Sequence, residues 1–317
     1  MELRLGGYRI EIAREYKIDG TMPKIYNAEG QPLETYFIKN RHSRHAPFGH
    51  EGKYFFWDRY NYGLDTHFYG PESMPRTLGK PSVKYGMLTE SRTIVPQDYE
   101  VFRRHKGLEK EFRYVFTYDE KILNEIENAR FYPVAAGIWN REMKDGLHDA
   151  KDRDISILSS DKVMCELHRF RLELARLCKK EGLADTYGRF DGGAYVQSVD
   201  ETLDRYRFSL IIENDISDYY FSERLTSCFA AQTIPVYLGA RKISEFFETD
   251  GMILLERPDL EEAKRKIREC TRETYEERLP AVLENYRRVQ EYVNMQDYLY
   301  EHYLQKRNET GNSGKAL

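Results

Sequence analysis

Apolar runs and amphipathic stripes alternate along most of the chain. The runs VKYGMLT (Val83–Thr89) and YVFTY (Tyr114–Tyr118) predict buried strands. Two other segments, Gln97–Arg104 and Asp119–Ala129, predict helices, and the second has an aspartate at its start that can cap it. Because strands alternate with helices, we expect a parallel sheet whose crossovers are helical.

The first eighty residues have a different pattern. They are rich in Tyr, Gly, Pro and His, and turn-forming clusters separate short strand-like pieces such as Lys53–Trp57. We predict a loop-rich region there.

A second strand and helix series follows the polar stretch Asp145–Asp154, which we interpret as an interdomain linker. It opens with a predicted strand at Ile155–Leu158 and continues with an amphipathic helix. The apolar stripe of that helix recurs at steps of three and four, at Val163, Leu167, Phe170, Leu174 and Leu177. The later elements of the series are predicted strands at Asp185–Tyr187, Phe208–Asn214 and Ile234–Gly239 and a helix at Ser222–Ala231.

The pattern therefore predicts two α/β domains, an amino-terminal one over residues 1–150 and a carboxy-terminal one over 151–305. The end of the second, Asp259–Gln305, reads as largely helical, with residues 306–317 as a disordered tail. We expect the helical segment to pack on the chain's own domains; pairing with a second copy or contact with a membrane surface are the alternatives.

Composition narrows the function classes. The 317 residues carry 49 Lys+Arg and 53 Asp+Glu, a net charge of -4, with a pI near 6.1, so no overall basic field favours nucleic acid. No apolar run reaches the length of a membrane helix, and no signal-like segment is visible, which predicts a cytoplasmic protein without an integral membrane segment. The four cysteines are scattered, which predicts reduced thiols.

The segment Tyr206–Gly239 concentrates the candidate chemistry. An apolar strand runs into Glu213 and Asn214, and after a polar loop Glu223 and Arg224 lie at a helix start. In an open α/β sheet this edge binds ligands, and free backbone N–H groups at a helix start favour phosphate. The alternative is an ordinary strand, loop and helix with a solvated ion pair.

The same segment resembles the signature of the glycosyltransferase family 10 fucosyltransferases. The pieces YRFSLIIEN, YFSER and TIPVYLG are similar to the family's Y-K-F-x-L-x-F-E-N, Y-V-T-E-K and T-x-P-V-Y-x-G. Upstream, KYGMLTESRTIVPQDYE, YVFTYDEKIL and DTYGRFDGG also look like family elements, so the resemblance covers about residues 54–247.

The resemblance implies a GT-B fold, with two Rossmann-like domains facing across a cleft, here followed by a helical carboxy-terminal tail. It implies inverting transfer of fucose from GDP-fucose to a saccharide hydroxyl, of α1,3 type, in protein glycosylation or polysaccharide biosynthesis. No cofactor or metal is expected beyond the donor substrate. The expected partners are the nucleotide sugar and the saccharide acceptor, and the acceptor's identity and the oligomeric state stay open.

The match places the family's catalytic base on Glu90, after the predicted strand Val83–Thr89. A carboxylate there could take the proton of an incoming hydroxyl. The alternative is a surface ion pair between Glu90 and Arg92.

Two cations are expected to bind the diphosphate. Arg224 occupies the position of the family's lysine in Y-V-T-E-K. An arginine can donate two parallel hydrogen bonds to the diphosphate, whereas a lysine acts as a point charge. Arg171, 14 residues before Asp185, fits the second position best, with Arg169 as its competitor.

The remaining donor-site predictions are Glu223, matching the glutamate that contacts the fucose ring, with Asn214 and Tyr220 beside it. Tyr220 could equally be a core aromatic, and Tyr219 competes for its position. Because YFSER departs from Y-V-T-E-K, a related transferase with another nucleotide sugar is an alternative, as is a non-catalytic sugar-nucleotide-binding protein.

Three other signals receive less specific interpretations. We interpret the Asp152-Arg153-Asp154 triplet as a solvated linker, and His42, His45, His50 and His67 as loop histidines, not metal ligands. The aromatic stretch Phe55–Gly70 is either part of the acceptor site or part of the amino-terminal core.

Overall fold

The computed structural model describes residues 2–5, 8–11, 27, 29–41, 52–59, 61–133 and 137–305. Within them, two parallel sheets follow one another along the chain. A short antiparallel pair, β1 (Glu2–Leu5) and β2 (Tyr8–Glu11), precedes the first sheet. The predicted disordered tail, 306–317, lies outside the described residues, as do His42, His45 and His50.

The amino-terminal half is built on a six-stranded sheet in the order β4-β3-β5-β6-β7-β8, with every pairing parallel. Its strands are β3 (Glu34–Lys39), β4 (Phe55–Asp58), β5 (Thr66–Tyr69), β6 (Val83–Leu88), β7 (Tyr114–Thr117) and β8 (Ala129–Phe131). The helices that follow β6 and β7 are α1 (Val101–Arg104), which continues a 3-10 turn at Pro96–Glu100, and α2 (Glu120–Glu125). A second 3-10 turn, Leu108–Glu111, leads into β7.

Short strands lie between loops in the first eighty residues, as predicted, and β3, β4 and β5 join the sheet there. The side chains of Phe37, Phe55 and Phe68 are no more than 1% exposed. Each strand is only four to six residues long, which is too short to show a sustained alternation of apolar and polar residues.

The carboxy-terminal half is a five-stranded parallel sheet in the order β10-β9-β11-β12-β13. Its elements are β9 (Arg153–Leu158), α3 (Glu166–Glu181), β10 (Asp185–Tyr187), α4 (Asp200–Leu203), β11 (Tyr206–Ile212), α5 (Glu223–Ala230), β12 (Ile234–Leu238) and β13 (Ile253–Leu254). The central strand β11 has an almost continuously buried pattern because helices cover both faces of a parallel sheet.

Several predicted boundaries shift by a few residues. Helix α2 ends at Glu125, and Asp119 caps it by accepting a hydrogen bond from the Ile122 N–H at 3.0 Å, as predicted. Helix α3 begins at Glu166, so Val163 lies in the preceding loop and is 48% exposed, outside the stripe in which it was placed. The predicted linker Asp145–Asp154 contains a 3-10 turn, and its last two residues begin β9.

The carboxy-terminal helices return to the first sheet. They comprise α6 (Leu260–Ile267), α7 (Arg272–Glu277), α8 (Leu279–Val289), α9 (Met295–Leu299) and a π-helical turn (Tyr300–Leu304). The ring of Tyr300 stacks on Tyr54 at 4.4 Å, and Tyr303 donates a hydrogen bond to the Phe131 carbonyl at 2.5 Å. The prediction that this segment packs on the chain's own domains is confirmed.

Candidate active site at the junction of the two sheets

The carboxyl ends of β6 and β7 meet the carboxyl end of β11. Thr93 Oγ1, after β6, donates a hydrogen bond to Asp215 Oδ1, after β11, at 2.8 Å. The ring of Tyr220 meets Tyr118 edge to face, with 5.0 Å between centroids, and joins the hydrophobic core of the amino-terminal half. Ligand sites of open α/β sheets lie at this edge.

Arg171 is a buried cation beneath this junction. It projects from α3, is 2% exposed, and its Nη1 donates to the Ile212 carbonyl at 3.0 Å. Its Nε has no partner among the described residues. Burial and the neighbouring charge of Arg224 lower the pKa of Arg171 to about 9. Arg169 is exposed on the same helix, so it is Arg171 that faces the junction.

Arg224 lies in the first turn of α5. The helix is capped by Ser222, whose Oγ accepts the Arg224 N–H at 3.3 Å. The Arg224 guanidinium lies 5.7 Å from the centroid of the Trp139 ring. Within the part of the chain that the structure describes, neither this guanidinium nor that of Arg171 forms an ion pair with a carboxylate. Two neighbouring cations at a helix start favour a dianionic group.

Glu213 binds Ser222, which caps α5, although the sequence analysis assigned it no role. Its side chain is fully buried, and it accepts hydrogen bonds from the Ser222 N–H at 2.9 Å and the Ser222 hydroxyl at 2.6 Å. Burial raises its pKa to about 7. A Cβ at Gly239 would lie 2.5 Å from Glu213 Cγ, so this position has no room for a side chain. The sequence signal for Glu213 was its position directly after a buried strand.

Asn214 is oriented by a histidine that the sequence analysis also missed. Nε2 of His168 lies 2.8 Å from Asn214 Oδ1, while His168 Nδ1 accepts the Met164 N–H at 3.2 Å. Because the backbone donor occupies Nδ1, the neutral ring carries its proton on Nε2 and donates it to Asn214. Burial and the charge of Arg171 lower the pKa of His168, which favours this neutral form. No sequence pattern marked His168, since the contact depends on how α3 meets β11.

Two carboxylates, Glu223 and Glu90, interact through their charges at the junction. Glu223 is the first residue of α5 and is half-buried; burial raises its pKa, and the charge of Glu90 adds to the rise. Glu90 is exposed, and its Oε1 accepts the Ser91 N–H at 2.8 Å. The alternative in which Glu90 pairs with Arg92 is wrong, because Arg92 binds Asp119 through two hydrogen bonds of 2.6 Å.

Tyr220 lies between the carboxylates and the core. It is 2% exposed, and burial, followed by the charges of Glu213 and Glu90, raises its pKa well above the usual range. Tyr219 is half-exposed and packs on Phe131 and Phe246 instead. The junction therefore brings together all six residues predicted from the sequence: Glu90, Arg171, Asn214, Tyr220, Glu223 and Arg224.

The less specific signals lie elsewhere. Asp152 pairs with Arg205, and Asp154 with Arg207, on the exposed start of the second sheet. His67 was placed among loop histidines, but it lies in β5, is fully buried and bonds Tyr69 through Nδ1 at 2.8 Å.

Most aromatic side chains of the stretch Phe55–Gly70 lie in the core, but Tyr62 is 57% exposed. Trp57, Phe68 and Tyr69 are all at most 6% exposed, so their rings are not available to an acceptor. Tyr60 lies outside the described residues.

Across the described residues, no three His, Cys, Asp or Glu side chains are grouped as metal ligands. The same part of the chain holds no helix long and apolar enough to cross a bilayer. All four cysteines are buried free thiols, as predicted.

The sequence of the carboxy-terminal half matches a known family model. Residues 150–265, just over a third of the chain, match the description "Glycosyltransferase family 10 (fucosyltransferase) C-term". The resemblance to family 10 is confirmed. The protein is a glycosyltransferase, and the matched segment contains five of the six predicted site residues, all but Glu90. A search of curated protein sequences finds no match to this glycosyltransferase.

The fold of the glycosyltransferase matches solved structures over most of its length. A crystal structure of α1,3-fucosyltransferase with GDP is 14% identical, with 91% of this chain and 94% of that chain covered and a TM-score of 0.51. The crystal structure of Anabaena HepE in complex with UDP-glucose is 8% identical, with 77% and 79% covered and a TM-score of 0.52. At these identities the likeness shows the fold, which is GT-B.

Proposed function

We propose that this glycosyltransferase transfers fucose from GDP-fucose to a saccharide hydroxyl with inversion, forming an α1,3-type bond. The observation that carries the proposal is the pair Arg171 and Arg224, unpaired by carboxylates among the described residues, opposite the exposed carboxylate of Glu90. A cation pair on one side and a base on the other are what a single displacement at a sugar diphosphate needs. The four free thiols support a cytoplasmic location.

Each group has one role in the proposed reaction. The Glu90 carboxylate accepts the proton of the acceptor hydroxyl as that oxygen forms a bond to the anomeric carbon. The bond between the anomeric carbon and the diphosphate oxygen breaks, and its electron pair leaves with GDP. Arg171 and Arg224 stabilise the charge that develops on the diphosphate through forked hydrogen bonds.

The sugar ring is assigned to the groups between the base and the cations. The half-buried Glu223 carboxylate can accept hydroxyl hydrogen bonds and stabilise positive charge on the ring in an oxocarbenium-like transition state. Asn214, oriented by His168, offers an amide to the donor's hydroxyl groups. Tyr220 closes the pocket against the amino-terminal core.

The donor nucleotide is the part of the proposal that a binding experiment tests first. One structural neighbour was crystallised with GDP and another with UDP-glucose, so the fold accommodates either nucleotide. The purified protein is titrated calorimetrically in EDTA with GDP, UDP, GDP-fucose, GDP-mannose and UDP-glucose. We expect GDP and GDP-fucose to bind, whereas binding of uridine nucleotides alone, or of none without metal, would contradict the donor assignment.

A matched pair of variants tests the cation site in the same titration. We expect Arg171→Ala to weaken GDP binding roughly 10- to 100-fold, since it removes hydrogen bonds to a charged group. Arg169→Ala, an exposed arginine two residues away on the same helix, should bind GDP like the wild type. Equal losses in both variants would mean that Arg171 acts only through general charge.

A further inference from the structure

A large groove lies along the helical segments that follow β6 and β7, outside the proposed donor site. It has a volume of about 820 Å³ and is lined by residues of the segments 99–114 and 121–130, together with Arg92. One end lies at the carboxyl end of β7, near Arg92 and Lys121, and the other at its amino end, near Arg113 and Asn128. The strand between them spans about 13 Å at roughly 3.3 Å per residue. This groove is called the basic groove below.

The charge of the basic groove is opposite in sign to that of the chain. Lysine and arginine outnumber glutamate on its lining by seven to four, whereas the whole chain is net negative at -4. Lys106, Lys110 and Lys121 are exposed and form no ion pair within the described residues. Concentrated positive charge in a concave surface attracts an anion and raises its rate of association.

The basic groove offers one accessible aromatic ring among its polar groups. Phe102, Ile122 and Ile126 border it but are at most 9% exposed, whereas the half-exposed ring of Tyr114 lies 4.8 Å from the Arg130 guanidinium. Apolar surface interrupted by hydrogen-bonding groups suits the C–H faces and hydroxyl edges of a sugar chain. A small inorganic anion would use only the cations.

One end of the basic groove lies close to the backbone of Glu90. Tyr99 lines the groove, and its hydroxyl donates a hydrogen bond to the Glu90 carbonyl. Arg92, also on the lining, lies 4.4 Å from the Tyr99 ring centroid and is two residues from Glu90. A chain lying in the groove could therefore extend toward Glu90.

We propose that the basic groove binds an acidic saccharide, one bearing carboxylate or phosphate groups, as the part of the acceptor beyond the reacting hydroxyl. Acceptor binding here rests on the proposed transferase function, whereas the affinity of the groove for an acidic saccharide does not. The acidic groups contact Lys106, Lys110 and Lys121, and a sugar ring lies against the half-exposed ring of Tyr114. A nucleic acid would meet the same cations, and the test below separates it from a saccharide.

The test measures binding of defined probes to the full chain by calorimetry at low and moderate salt. The probes are hexagalacturonate, the neutral maltohexaose, inorganic tripolyphosphate and a short single-stranded DNA. We expect hexagalacturonate to bind in a salt-dependent manner and more tightly than the other three. The triple variant Lys106→Ala, Lys110→Ala, Lys121→Ala should lose roughly tenfold or more in affinity, because it removes three exposed charge contacts that each contribute modestly.

A second triple variant controls for net charge. Lys180, Arg265 and Arg268 are exposed on the carboxy-terminal half and have no ion-pair partner among the described residues, so their replacement by alanine removes the same charge elsewhere. Hexagalacturonate binding should survive in this control, and GDP binding should survive in both triple variants. Equal loss in the two variants, equal binding of maltohexaose, or tighter binding of DNA or tripolyphosphate would overturn the proposal. Failure of GDP binding in the wild type would instead count against the proposed donor.

Discussion

At the residue scale, Glu90 is distinguished by the absence of a cationic partner among the described residues. It is an exposed carboxylate, the neighbouring Arg92 is held by Asp119, and its charge acts on Glu223 and Tyr220 across the junction. An accessible carboxylate without a cationic partner among the described residues is free to accept a proton.

Replacement of the proposed base should separate chemistry from binding. We expect Glu90→Gln to reduce transfer by about 10²- to 10⁴-fold, the usual contribution of a general base, with GDP affinity unchanged. The measurement is the rate of GDP release with a saccharide acceptor beside a GDP titration. Glu277→Gln, at an exposed glutamate on α7, should keep full activity. Full transfer in Glu90→Gln would rule out this base.

Glu213 makes stability depend on pH. Its folded pKa of about 7 lies above the ordinary 4.5, so between these values the folded state holds a proton that the unfolded state has lost. The free energy of unfolding therefore falls as pH rises through this window, by at most about 3 kcal/mol from this group. Glu213→Gln does not titrate, so the stability of the variant relative to the wild type should rise from pH 5 to pH 8.

Thermal and urea denaturation of both proteins across that pH range checks this expectation. Glutamine can still accept the Ser222 N–H, and its amide can donate to the Ser222 hydroxyl, so the variant should fold. A difference in stability that does not change with pH would show that Glu213 does not titrate with a raised pKa.

At the scale of elements, the donor site depends on the start of α5. Ser222 links the strand end to the helix by donating its hydroxyl to Glu213 and accepting the Arg224 N–H. Loss of this cap therefore disturbs a site residue as well as the helix. The sequence shows the serine at the helix start, but its bond to a buried carboxylate arises only when β11 and α5 pack together.

The cap can be tested against a cap of another helix. Ser222→Ala should cost about 1–2 kcal/mol of stability, the usual cost of removing a cap, and should also weaken GDP binding. Thr271, which caps α7 by accepting the Thr274 N–H at 3.2 Å, is the control. Thr271→Ala should lose similar stability by urea denaturation and retain GDP affinity. Similar GDP affinity in the two variants would count against a positioning role for Ser222.

At the scale of the molecule, the two halves share one hydrophobic cluster. It includes Phe55 and Phe116 of the first sheet, Phe221 and Phe229 near α5, and Leu299 of α9. The carboxy-terminal helices thus contact both halves. The backbone N–H of Lys53 also donates a hydrogen bond to Asp297 Oδ1 at 2.7 Å. Separating the halves would expose apolar surface on both of them, so we expect the two halves to unfold together.

Leu299→Ala tests this coupling. The side chain is fully buried, so its truncation should cost about 2–5 kcal/mol. In a Trp139→Phe background, Trp57 is the one tryptophan left, so its fluorescence reports on the amino-terminal half. Loss of GDP binding reports on the other half. The urea midpoints of both signals should fall together. A shift in one signal alone would show that the halves unfold independently.

Local sequence predicted much of what lies near each residue in the chain. The alternation of strands and helices, the Asp119 cap and the strand-to-helix unit from Tyr206 to Gly239 follow from short-range patterns of apolar and capping residues. Helical phase also marks Arg171, which lies four residues after Leu167 and three before Leu174, on their buried face, whereas Arg169 lies opposite. The family resemblance added the six site residues.

Tertiary structure alone decided which distant residues meet. The charge of Glu90 acts on Glu223, His168 donates to Asn214, and Tyr220 enters the core of the other half, because two parallel sheets bring their carboxyl ends together. The basic groove likewise forms only when the segments around residues 100–110 and 121–130 lie beside each other. Contacts of this kind depend on the packing of elements far apart in sequence, which the periodicity of a single segment does not encode.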